Sequence, residues 1–84
     1  MKIMKVGCNF LNWERVEYCR VTDNHDGSSM IHFSVSGSLK TVGVSADATT
    51  VAKAISYGLN NYYEFDLEQM IKKVEGKIDA DFSV

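Results

Sequence analysis

Proline is absent from this chain, and cysteine occurs only twice, at Cys8 and Cys19. With no proline to interrupt a helix or strand, boundaries must be read from Gly, Asn, Asp and Ser. Long apolar runs are missing as well. None exceeds three residues, so nothing in the sequence spans a bilayer. Met1 leads directly into Lys2-Ile3-Met4-Lys5 with no hydrophobic leader, which points to a cytoplasmic protein whose two cysteines are free and buried rather than bridged.

Chemistry-bearing motifs are equally scarce. His25 and His32 are the only histidines, and with the cysteines they form no CxxC or HxxxH spacing. No Ser or Cys sits in a GxSxG-type elbow. The glycines at 7, 27, 37, 43, 58 and 76 are too scattered for a phosphate loop. Asp23-Asn24-His25-Asp26-Gly27 has the opening of a calcium loop but lacks its ligand order and its closing glutamate, and reads as a turn between strands. The residues therefore predict no enzyme, no cofactor and no metal.

What is present is an ordinary globular composition, 45% hydrophobic and 24% charged, in 84 residues that make a single domain, 1–84. Net charge is -2, but it is uneven. Residues 1–46 carry five Lys/Arg against four Asp/Glu, and residues 47–84 carry four against seven. Glu64, Asp66, Glu68, Glu75, Asp79 and Asp81 make the second part acidic. This is a solvated face or an acidic docking patch; it gives no general case for attraction to nucleic acid or membrane.

The best-specified stretch is Asp47 to Glu64. Val51, Ala54, Ile55, Gly58, Leu59 and Tyr62 recur at the spacing of one buried helical face. Asp47 is placed to cap its start and Asn60-Asn61 to stop it. Gly58 weakens that helix by about 1 kcal/mol relative to Ala, which implies close approach by a neighbouring element. Tyr62 to Phe65 closes the helix, and Asp66, with Gln69 three residues on, opens a second one. Leu67, Met70, Ile71, Val74 and Ile78 form the apolar stripe of that second helix.

Before the helices, Glu14–Thr22, Met30–Ser36 and Leu39–Ala46 read as three strands of an antiparallel meander. Ile31, Phe33 and Val35 alternate to one side of the middle strand. The imperfect alternation of the first strand suggests an edge, or cover on both faces. Residues 1–13 are too apolar for a loose tail and form either a strand with a turn over Gly7–Asn12 or a short irregular helix. Trp13 is a core or rim anchor. Asp79–Val84 is a packed tail or a short strand. The fold class is α+β, a three-stranded antiparallel sheet packed by two C-terminal helices.

Tyr57, Tyr62, Tyr63 and Phe65 lie beside the acids, and one helix end cannot turn all three tyrosines inward. An exposed tyrosine next to carboxylates suits a protein–protein contact.

This order of elements, with Val51, Lys53, Ile55, Ser56, Asn60 and Tyr62 followed by Glu64, Asp66 and Glu68, resembles the small phage-encoded anti-CRISPR proteins, in particular the type II-A inhibitors that mimic DNA. The likeness covers about Arg15 to Met70. It implies a non-enzymatic inhibitor that docks on a CRISPR effector nuclease where the nuclease reads its short DNA motif. Carboxylates would stand in for phosphates and base edges. On that likeness Glu64, Asp66 and Glu68 carry the mimicry, with Tyr63 adding buried area and Asp47 a further candidate; the inhibitor itself touches no nucleic acid directly. The alternative is a homodimeric structural or regulatory module, in which Lys72, Lys73 and Lys77 contact a nucleic-acid backbone or another protein.

Overall fold

The computed structural model describes residues 2–76. Two small sheets share a common core with two helices. The N-terminal segment forms β1 (Ile3–Val6) and β2 (Asn9–Asn12), followed by a 3-10 turn at Trp13–Arg15. Then come β3 (Val16–Asp23), β4 (Ser29–Val35), β5 (Ser38–Val44), α1 (Ala48–Asn61), β6 (Glu64–Asp66) and α2 (Leu67–Val74). The principal dimensions of 40 × 33 × 19 Å leave depth for about two layers of secondary structure. No helix among the described residues is long and apolar enough to cross a membrane.

The meander expected from the alternation is present, with strand order β3-β4-β5 and antiparallel pairing throughout. Ile31 and Phe33 are buried on its inner face. The uneven pattern of β3 has a local cause. Its register against β4 shifts between Val16 and Tyr18, so Glu17 is an extra, bulged residue. The shift lets Val16, Cys19 and Val21 all pack against the core. The Glu17 carboxylate then reaches the β4–β5 turn, accepting from the Gly37 amide at 2.8 Å and the Ser34 hydroxyl at 3.2 Å. Ser36 and Gly37 both have positive φ, 52° and 82°, the backbone that a tight two-residue hairpin turn demands.

The second sheet is a feature that sequence alone did not supply. Its order is β2-β1-β6, with β1 antiparallel to β2 and parallel to β6. The N-terminal segment is thus a strand, a turn at Gly7-Cys8 and a second strand. Tyr62 to Phe65 does not close α1, because the helix ends at Asn61 and Tyr62 is already extended. Glu64–Asp66 instead pairs with β1 in the register Ile3↔Glu64, Met4↔Phe65, Lys5↔Asp66. Cys8 is exposed at the β1–β2 turn rather than buried, while Cys19 is half-buried and both are free. Burial pushes the Cys19 thiol pKa up.

The core joins both sheets to both helices. Met4, Val6, Leu11 and Phe65 come from the mixed sheet, Val51, Ala54 and Ile55 from α1, and Leu67, Met70 and Ile71 from α2. Gly58 is buried because the Phe65 ring lies on it. A Cβ there would stand 2.4 Å from ring carbons, so the expected close approach is made by a side chain of β6. Ser29, fully buried, donates its hydroxyl to the Ala46 carbonyl at 2.7 Å and fixes the end of the meander to the start of α1. Ile78 and the stretch Asp79–Val84, assigned above to a stripe and a tail, lie outside the described residues.

Candidate functional site

Strand alternation decides which side chains of the mixed sheet face out. Met4, Leu11 and Phe65 point into the core, which leaves Ile3, Lys5, Phe10, Asn12, Glu64 and Asp66 on the opposite face. Across this face Asn12, Ile3 and Glu64 form one row and Phe10, Lys5 and Asp66 the next. Phe10 is 66% exposed, and its ring has the Lys5 ammonium 5.9 Å from the centroid.

Tyr63 stands at the corner where α1 gives way to β6. Its backbone carbonyl accepts from the Ile3 amide at 2.7 Å, so the backbone is fixed while the side chain is 79% exposed. The Lys2 ammonium lies 5.7 Å from the Tyr63 ring centroid. It also donates to the Leu59 carbonyl, and to the Tyr62 carbonyl at 3.3 Å. Lys2 thereby satisfies the last turn of α1 and places a positive charge at the negative end of the helix. Lys2, Trp13, Glu14 and Tyr63 enclose a shallow hollow of about 390 Å³.

The other tyrosines are occupied internally. Tyr57 and Tyr62 have ring centroids 6.2 Å apart, and the Tyr62 hydroxyl accepts from Lys73 at 2.9 Å. Of the three tyrosines in this stretch, Tyr63 is the one turned outward.

The structure separates the five residues singled out from the sequence. Tyr63, Glu64 and Asp66 meet on or beside one face. Asp66 has a structural task there: its carboxylate caps α2 by accepting from the Glu68 amide at 2.9 Å. Glu68 is exposed on the first turn of α2 and lines a different hollow, of about 340 Å³, with Lys72, Glu75 and the end of β5. Asp47 is remote. It caps the other end of α1, accepting from the Thr50 amide at 2.7 Å. A helix of 14 residues puts the two ends about 21 Å apart. That hydrogen bond from Thr50 is the main reason its carboxyl titrates below the usual range.

Sequence reading missed Lys2, Lys5 and Phe10 as neighbours of the acids. The one local signal is the short alternation Met4-Lys5-Val6, too brief to establish a strand, and the partner strand begins 61 positions after Ile3, at Glu64. The lysines interleave with the carboxylates, so the patch is mixed in sign rather than a run of negative charge. No group of three or more His, Cys, Asp or Glu among the described residues is placed to hold a metal ion. No protein-family model, curated protein or solved structure matches the chain.

Proposed function

We propose that this chain is a non-enzymatic binding protein that presents the open face of the β2-β1-β6 sheet, with Tyr63 at its corner, to a protein partner. The observation that carries the reading is the 79% exposure of Tyr63 beside Glu64, on a backbone anchored by the Ile3 hydrogen bond. An aromatic ring on a rigid mount loses little entropy on binding, and charged neighbours set orientation and encounter rate. The likeness drawn from the sequence names the partner class: a CRISPR effector nuclease, with Glu64 and Asp66 set against the arginines that read its DNA motif. Lys2 and Lys5 would meet acidic groups on the same partner.

The test is capture of a purified, guide-loaded Cas9-type nuclease at low and high salt, followed by a DNA-cleavage assay. The wild-type chain should bind, bind less at high salt, and reduce cleavage. Tyr63→Ala should weaken binding by about tenfold or more, the scale of an interface hot spot. Glu64→Lys should weaken it further at low salt. Asp66 is best changed to Asn, which keeps the cap of α2 while removing the charge. Absence of any effector binding removes the nuclease as partner, and full affinity of Tyr63→Ala and Glu64→Lys removes this face.

A homodimer is favoured by a separate observation. Leu39 is 69% and Tyr18 47% exposed, and both pair with Ser34, which puts them on the outer face of the meander. A concentration-dependent dimer by light scattering, lost in Leu39→Lys, would support that reading; a monomer at all concentrations would end it.

A further inference from the structure

A groove of about 460 Å³ lies where the two sheets meet without a helix across them. Its walls are β2 and β5, each the outermost strand of its own sheet among the described residues. Each therefore carries a row of backbone amides and carbonyls outside its ladder, the arrangement onto which an added strand pairs. Val6, Phe33, Val35 and Val42 supply apolar lining. Arg15 and Lys40 supply the charge, and among the described residues no acidic one lines the groove. This positive lining stands out in a chain of net charge -2.

We propose that this groove binds an extended acidic peptide segment of a protein partner, added as a strand along β5. The carboxylates of such a peptide would lie on the face of β5 that carries Lys40 and Val42, toward Lys40 and Arg15, and the intervening apolar side chains would lie beside the exposed Leu39 on the other face. Backbone pairing would supply affinity, and the two cations would select acidic over basic segments. The groove shares Phe10 and Asn12 of β2 with the open face but includes none of Tyr63, Glu64 and Asp66, so its failure would leave the reading of those three residues untouched.

The probe is a fluorescein-labelled octapeptide alternating Val and Glu, titrated with the full chain and followed by anisotropy. A second peptide replaces Glu with Lys, and a third carries N-methyl groups at alternate backbone amides. The acidic peptide should bind saturably, with amide shifts concentrated in β2 and β5 by NMR. The Lys peptide, the N-methylated peptide and the double variant Arg15→Glu/Lys40→Glu should each bind about tenfold more weakly or worse, as expected for lost charge pairing or lost strand pairing. Both substituted residues are exposed, and the neutral pair Arg15→Gln/Lys40→Gln, checked for an unchanged circular dichroism spectrum, guards against a folding artefact. Equal binding of acidic and basic peptides overturns the proposal, as do shifts centred on α2 and absence of binding at millimolar peptide. A dimer that buries β5 and admits no peptide assigns the groove to a second copy and overturns it equally.

Discussion

Gly58 and Phe65 show how much one position can decide. Helical spacing puts residue 58 on the buried face, and only a residue without a side chain leaves room for the ring that rests there. In Gly58→Ala the new Cβ would meet ring carbons at 2.4 Å. The Phe65 ring, itself buried in the core, would have to move. Overpacking of this kind costs up to about 3 kcal/mol, and the better helix propensity of Ala returns about 1. Urea unfolding should therefore show a net loss of about 2 kcal/mol, with part of it recovered when Phe65→Leu is added. The need for a glycine at 58 was legible in the sequence. The identity of its neighbour was not, since nothing local links residues 58 and 65 across a change from helix to strand. Tyr63 is the reverse case: the crowding of three tyrosines was legible, but choosing the outward one required knowing where the helix stops.

At the scale of elements, α1 is held at both ends by charge. Asp47 caps its start, and Lys2, from the far end of the chain, satisfies its last carbonyls. The capped carboxylate of Asp47 is favoured in the folded state, so its folded pKa lies below the unfolded one. The resulting stabilisation is present above the unfolded pKa and is lost as pH falls through the folded value. Asn at 47 keeps a cap but does not titrate. Thermal melts should show wild type more stable than Asp47→Asn at neutral pH, with the difference shrinking as pH drops below about 4. A difference that stays constant with pH would mean that the cap owes nothing to its charge. Elements differed in how well they could be read. The meander strands have seven or eight residues each, long enough for alternation to register, and their turns carry Asp, Asn, Gly and Ser. β1, β2 and β6 have four, four and three residues, too few for a period to emerge. β6 also sits among aromatics that a helical pattern could absorb. Sequence pattern alone therefore places the acids on a junction between helices, when two of them belong to a sheet that holds lysine beside them.

For the molecule as a whole, the two sheets differ in the range of their contacts. The meander closes on itself within Val16–Val44, whereas the mixed sheet depends on pairing Ile3–Lys5 with Glu64–Asp66. Among the described residues β6 has only β1 as a strand neighbour, so the two should open together. Amide hydrogen exchange should show β4, paired on both sides, as the most protected strand, with the amides bonded between β1 and β6 exchanging faster and as a group. Equal protection of both sheets would indicate a single cooperative unit instead.

The distance in sequence between β1 and β6 also sets an order in time. On a ribosome adding about 5–20 residues per second, about 3–12 s separate the synthesis of β1 from that of β6. The meander can assemble within that interval from neighbouring segments alone, while Met4, Val6 and Leu11 still lack Phe65, the core residue that β6 brings. The hairpin made earliest is thus among the last to be enclosed, and its apolar inner face must survive uncovered until the chain has grown past Asp66.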